Sequence, residues 1–361
     1  MKRAGKAFFT DNLLTWNREI NTRTMPWKGE KDPYRIWLSE IILQQTRVEQ
    51  GWPYYERFIQ AYPTVAHLAQ AHDDEVFRLW QGLGYYARCR NMLAAAREIA
   101  TRYHGVFPNT YDAILALKGI GAYTAAAIAS FAYGLPHAVL DGNVYRVLAR
   151  YFGVQTPSDS TAGKKEFTQL AGELLDKKQA GPYNQAIMDF GAVVCKPQAP
   201  ECPTCPLSTQ CLAYNTDRVD QLPVKTKKLV IRQRHFYYII LIYNNQVYIR
   251  KRAGKDIWQN LHEFILVETP GPVTLAELQA SEAFRHTLPG VQFEVEGLSE
   301  QYKQQLTHQT IFARFLTLKG KGRAPKLEGY QLVPRSLLND YAFPKTIVSY
   351  LEQQTTGLTL F

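Results

Sequence analysis

Apolar residues recur at three- and four-residue intervals through the first 215 positions of the chain. The pattern predicts helices at 8–20, 34–43, 85–103, 123–133 and 144–151. Gly82, Gly84, Pro108, Gly119, Gly121 and Pro136 punctuate these stretches. Small residues fill positions 122–129, which lets that helix approach its neighbours closely. The character then changes. Residues 216–234 are polar and basic, with Pro223, Lys225, Lys227, Lys228, Arg232 and Arg234, and predict a linker lying against DNA or solvent. Beyond it, 235–243 and 246–250 are rich in Ile, Tyr and Val and are parted by Asn244-Asn245, a hairpin signal. Strand-like runs follow at 264–267 and 311–318. The expected chain is multidomain: an all-α domain over 1–215, a linker over 216–234 and an α+β domain over 235–361.

Length and composition agree with this. A chain of 361 residues is too long for one ordinary core. A hydrophobic fraction of 46% with 20% charged residues belongs to a soluble globular protein. The net charge of +10 fits a polyanionic partner, although many basic proteins never touch nucleic acid. The longest apolar stretches, near 125–132 and 236–243, fall short of the ~20 residues a membrane helix needs. Met1-Lys2-Arg3-Ala4 has no apolar run behind it, so no secretory signal is expected. We expect a cytoplasmic protein, bacterial from its compact ends.

Four of the five cysteines, Cys195, Cys202, Cys205 and Cys211, follow a Cys-x6-Cys-x2-Cys-x5-Cys spacing. With no sign of secretion, such a cluster predicts a metal site rather than a disulfide framework. Four thiolates suit a cubane iron–sulfur cluster or structural zinc. Zinc usually joins two short Cys-x-x-Cys knuckles, and only one occurs here, which favours iron–sulfur. Cys89, between Arg88 and Arg90 on a helical pattern, is expected to be a packed thiol.

The cysteine spacing, placed after a helical domain, resembles the endonuclease III superfamily of base-excision glycosylases. The resemblance implies one [4Fe–4S] cluster in a loop, 195–211, that contributes to DNA binding rather than to hydrolysis. Leu117-Lys118-Gly119-Ile120-Gly121-Ala122-Tyr123-Thr124-Ala125 resembles the helix–hairpin–helix signature of the same superfamily. By themselves two glycines make only a turn. Ahead of a helix, Lys118, Gly119 and Gly121 and the free amides suit a DNA phosphate. Lyase members of the superfamily carry a lysine where Tyr123 stands. A phenol forms no imine, so a monofunctional glycosylase is expected.

Breaking an N-glycosidic bond calls for a proton on the departing base and negative charge near the emerging sugar cation. Glu40 lies in Ser39-Glu40-Ile41-Ile42-Leu43-Gln44-Gln45-Thr46-Arg47-Val48. A helical glutamate is ordinarily a surface residue, but its neighbours are apolar, and burial would raise its pKa. This stretch resembles the motif of the adenine DNA glycosylase (MutY) family, whose glutamate protonates N7 of a flipped adenine. Asp141 precedes an amphipathic helix and suits an N-cap. The resemblance gives it a second role: ionised, it stabilises the oxocarbenium or briefly bonds to C1′. Asn143 matches a residue orienting that chemistry, and Tyr123 is placed to assist. Gln45, Thr46 and Tyr85 match residues that enter the base stack, and Trp27 and Gln185 match the adenine pocket. Without the resemblance, Gln45 and Thr46 would be a polar helix face and Tyr85 a core residue.

Members of this family carry a C-terminal domain resembling Nudix hydrolases, which reads oxidised guanine opposite adenine. Residues 256–264 resemble its tryptophan-containing loop. The Gly-x5-Glu-x7-Arg-Glu-x-x-Glu-Glu box is missing, so recognition rather than hydrolysis is expected. The family's Phe-Ser-His motif is here Leu306-Thr307-His308, which keeps a hydroxyl and an imidazole and loses the ring. The implied partner is duplex DNA carrying adenine opposite 8-oxoguanine or guanine, bound by a monomer. Rival expectations are a bifunctional glycosylase–lyase acting on oxidised pyrimidines and a non-catalytic lesion sensor.

Overall fold

The computed structural model describes residues 3–25, 28–226 and 231–357. The chain forms two compact units, Met1–Gln70 with Asn91–Lys228, and Ala71–Arg90 with Leu229–Phe361.

The first unit is helical. Its main core gathers Phe9, Leu13, Val147, Leu148, Phe167, Tyr183, Ile187 and Phe190, all essentially inaccessible. These come from the helices Arg3–Glu19, Gly142–Phe152, Thr161–Leu174 and Ala180–Val193. Each such side chain contributes about 1.5–3 kcal/mol by leaving water. The Ala122–Tyr133 helix is buried from Thr124 to Ser130. It packs against Pro33–Leu43 and Ala180–Val193. Asp32 caps the Pro33–Leu43 helix, its carboxylate accepting from Tyr34 N–H at 2.8 Å, with Pro33 in the first turn. That helix is buried almost throughout, including Glu40.

The second unit holds a seven-stranded mixed sheet. Its strands are β1 (Arg232–Tyr243), β2 (Gln246–Lys251), β3 (His262–Thr269), β4 (Phe293–Leu298), β5 (Tyr302–Gln305), β6 (Gln309–Gly320) and β7 (Gln331–Pro334). Their order is β4-β6-β1-β3-β2-β7, with β5 also on β6. Only the central β1–β6 pair is parallel among the described pairings. Asn244 and Asn245 both have positive φ, 46° and 60°, as a two-residue hairpin turn between β1 and β2 requires. Leu306-Thr307-His308 forms the tip of the β5–β6 hairpin, closed by Leu306 N–H donating to Gln309 O at 2.8 Å.

Two sequence expectations need correction. The first concerns the stretch 216–234. Arg232–Arg234 open β1, and Arg234 is 7% exposed, bonded to Glu268 and Asp256 at 2.7–2.9 Å. It is buried rather than solvent-facing, and two carboxylates offset that burial. Residues 219–226 are also tied down. Val219 O and Leu222 O accept from Arg150, and Thr226 N–H donates to Asp159. Lys227 and Lys228 lie outside the described residues.

The second concerns Ala71–Arg90, which groups with the β-rich unit although its periodicity is helical. Asp74 pairs with Lys251 at 2.6 Å, Arg78 with Asp340 at 3.7 Å, and Arg90 donates to Gln259 O at 2.9 Å. Periodicity reports that a segment is helical. It does not report which core the segment joins.

Candidate active site

A cavity of about 800 Å³ opens in the helical unit, lined by Glu40, Tyr123, Asp141, Asn143, Gln185, Gln45, Thr46 and Gly121. Four elements bring these residues together. Glu40 comes from the Pro33–Leu43 helix, Tyr123 from the first turn of Ala122–Tyr133, Asp141 and Asn143 from the start of Gly142–Phe152, and Gln185 from Ala180–Val193.

Glu40 is only 9% exposed. Burial, reinforced by the nearby Asp141 charge and opposed by a hydrogen bond from Tyr123, lifts its carboxyl from 4.5 to about 7. The Tyr123 phenol is itself pushed well up by burial and by both carboxylates, so it stays a neutral donor.

Asp141 is more heavily hydrogen-bonded. Its Oδ1 accepts from Val144 N–H at 2.8 Å, which makes it the N-cap of the Gly142–Phe152 helix. Its Oδ2 accepts from Asn143 Nδ2 at 2.8 Å. Burial raises its pKa, while these bonds and the charge of Arg146 act to keep it ionised. The cap and the charged group at the cavity are one carboxylate.

Asn143 is held in turn by Arg146, whose Nη2 donates to Asn143 Oδ1 at 2.8 Å. The same guanidinium donates to Cys195 O at 2.7 Å and Gly191 O at 2.7 Å, joining Asp141 to the start of the cysteine loop. Gly191 permits this approach, since a Cβ there would lie 2.6 Å from that of Asn143. One turn on, Arg150 donates to Lys196 O at 2.7 Å and reaches Cys195 Sγ at 3.5 Å. Sequence reasoning missed both arginines. Their signal was two cations four residues apart on the apolar face of a helix.

Cys195, Cys202, Cys205 and Cys211 form no disulfide and line one small pocket with Val147, Phe190 and Val194. Among the described residues no three His, Cys, Asp or Glu side chains are grouped to hold a single metal ion. Cys89 is fully buried, and its thiol is pushed up by desolvation.

Not every predicted residue lines the cavity. Lys118 and Gly119 occupy an exposed hairpin before the Ala122–Tyr133 helix. Gly119 has φ +77°, and a Cβ would meet Asn91 at 2.5 Å, so only glycine fits. Gly121 is the N-cap residue of that helix. Tyr85 and Thr307 hydrogen-bond through their hydroxyls within the second unit, with His308 beside Thr307 at the hairpin tip. Gln45 and Tyr85 both have left-handed backbones, φ 57° and 48°. Such strain in non-glycine residues concentrates at functional sites. Trp27 lies outside the described residues.

A model of the HhH-GPD superfamily base excision DNA repair proteins matches residues 38–173, and a NUDIX domain model matches 237–353. The adenine DNA glycosylase of Buchnera aphidicola subsp. Baizongia pistaciae (strain Bp) is 36% identical over 257 residues, 71% of this chain and 73% of the relative. The chain belongs to the adenine DNA glycosylase family. The Homo sapiens adenine DNA glycosylase is 39% identical over 223 residues, 59% of this chain and 41% of that one. The solved structure of a thermostable thymine-DNA glycosylase aligns with a TM-score of 0.55 at 29% identity, over 59% of this chain and 98% of the other. As an adenine DNA glycosylase, the chain is a hydrolase of N-glycosyl bonds that acts on DNA in base excision repair. The superfamily match encloses Glu40, Tyr123, Asp141 and Asn143, and the NUDIX match encloses Thr307 and His308.

Among the described residues no helix is long and apolar enough to cross a membrane.

Proposed function

We propose that this adenine DNA glycosylase removes adenine opposite 8-oxoguanine and, less selectively, opposite guanine, without cutting the strand. The observation that carries the chemistry is a pair of carboxylates in different settings facing one cavity. Glu40 holds a proton to about pH 7, while Asp141 is braced by Val144 N–H and Asn143. Glu40 protonates N7 of the extruded adenine. The bond to C1′ then breaks, with Asp141 stabilising the oxocarbenium or bonding to C1′ before water adds. Tyr123 orients the Glu40 carboxyl and Asn143 orients Asp141. Gln185 belongs to the adenine pocket.

Extruding a base costs a few kcal/mol. Gln45, Thr46 and Tyr85 offset that cost by filling the stack, and Lys118, Gly119 and Gly121 hold a phosphate at the helix N-terminus. Thr307 and His308 read the oxidised guanine. The functional division follows the two compact units: a glycosylase unit over 1–70 and 91–228, and a lesion-reading unit over 71–90 and 229–361.

The four cysteines suit one [4Fe–4S] cluster. They rim one largely apolar pocket, and their spacing holds a single Cys-x-x-Cys knuckle where a zinc site usually joins two. The cluster would supply a rigid cross-link for the loop, and Arg146 and Arg150 would fix its first ligand.

Single-turnover adenine release from duplexes carrying A opposite 8-oxoguanine, G, C or T tests this reading. Fast release opposite 8-oxoguanine, slower opposite G and none opposite T is expected. Equal release from all four would remove the lesion-reading role. No release despite tight binding would favour a sensor.

A further inference from the structure

Asp189 is fully buried in the Ala180–Val193 helix, and the scheme above does not use it. Both of its oxygens are occupied. Oδ1 accepts from Arg23 Nη1 at 2.7 Å and from Gln185 Nε2 at 2.9 Å. Oδ2 accepts from Asn21 Nδ2 at 2.9 Å and from Lys28 Nζ at 3.1 Å. Two of these donors are cations and two are amides. Arg23, Lys28 and Gln185 all line the cavity that holds Glu40.

Enclosing a carboxylate is expensive, and it persists only when charges and hydrogen bonds around it are complete. Here three of the four completing groups are walls of the cavity. The consequence for Gln185 is directional. An amide has one donor end and one acceptor end, whereas a carboxylate only accepts. Asp189 therefore holds the NH2 end of Gln185 and leaves the carbonyl oxygen to the cavity. An acceptor there suits a purine edge carrying an amino group and opposes one carrying a carbonyl oxygen.

We propose that Asp189 is a positioning residue for base selectivity, fixing Gln185 so that the pocket accepts a 6-aminopurine and rejects a 6-oxopurine. The proposal rests on this cavity being the base pocket. Arg23 and Lys28 serve it by stabilising the buried charge.

The test compares single-turnover release of adenine and of hypoxanthine from otherwise identical duplexes opposite guanine. Asp189→Asn keeps the shape and adds a donor, so Gln185 is free to turn over. The adenine-to-hypoxanthine ratio should fall by about tenfold or more, the loss expected for one hydrogen bond to a charged group. Combining Asp189→Asn with Gln185→Glu returns an acceptor-only group to the cavity and a negative charge to Arg23 and Lys28, and should restore the ratio. A melting curve accompanies each variant. If Asp189→Asn does not fold, Asp189→Ser, with room for water and a hydroxyl donor, carries the same expectation. Equal loss on both bases would make Asp189 merely structural and overturn the proposal. Gln185→Ala separates the two levels. If it lowers the ratio while Asp189→Asn does not, the Asp189 role falls alone. If it leaves the ratio unchanged, the pocket assignment falls with it.

Discussion

Each unit contains a group of buried or half-buried acids, and the two groups are arranged in opposite ways. In the helical unit, Glu40 and Asp141 have a phenol, an amide and a backbone N–H as their partners, and burial pushes both carboxyls up. In the β-rich unit, Glu263 is bonded to Arg250 and Arg252, Glu268 to Arg234, and Asp256 to Arg234 and Arg252. Burial pushes Asp256 up as well, but hydrogen bonds from Arg234 and the arginine charges carry it below its ordinary value. The same residue type is left proton-hungry in one place and neutralised in the other. An acid facing a cavity with uncharged donors can exchange a proton with a ligand. One locked between guanidinium groups holds strands together. Perturbed carboxyls collect at reactive sites for this reason.

The sharpest way to break the contrast is to remove the exchangeable proton. Glu40→Gln keeps size and burial but cannot act as an acid. Single-turnover adenine release should drop by about a thousandfold, within the range for general acid catalysis, with duplex binding retained. Undiminished release would end the assignment of Glu40.

The β-rich unit should respond in stability instead. Glu263→Gln strips Arg252 of a buried partner and should cost about 4 kcal/mol, the scale for breaking a buried pair. Denaturant titration of the full chain would show it as a destabilised transition. An unchanged midpoint would mean that the arginines repartner with Asp256 and Glu268.

The smallest effect is on pH. Glu40 titrates near 4.5 when unfolded and near 7 when folded, so between those values the folded state holds a proton that the unfolded state has released. Its contribution to stability is full below 4.5 and is lost as pH rises to about 7, by roughly 3 kcal/mol in all. Relative to wild type, Glu40→Gln should become progressively more stable over that window and level off above it. Adenine release by wild type should decline as pH passes about 7, because the acid form disappears.

Local signals carried much of this structure. The helices around Glu40, Tyr123 and Asp141 follow apolar periodicity, and Asn244-Asn245 marks its hairpin by turn chemistry. Asp141 was legible as a cap, because an aspartate just before an amphipathic helix suits that place; its second role came from the resemblance alone. What stayed hidden is long-range. Asp189 meets Arg23 across 166 positions, and no window of sequence displays that pairing. Arg146 and Arg150 bond carbonyls of a distant loop, a pairing no local window displays. The positive φ of Gln45 and Tyr85 is equally unreadable, since both residue types usually occupy other backbone regions.

The grouping of Ala71–Arg90 with the later strands has a consequence for how the chain is made. A ribosome completes the first piece of the β-rich unit by residue 90, then synthesises 141 further residues before β1 begins at Arg232. Until then Asp74, Arg78 and Arg90 lack Lys251, Asp340 and the Gln259 carbonyl, because those partners do not yet exist. The unit cannot be a module that finishes independently and waits. Its maturation waits for synthesis to pass Asp340, and a protein truncated before β1 would keep an orphaned helix.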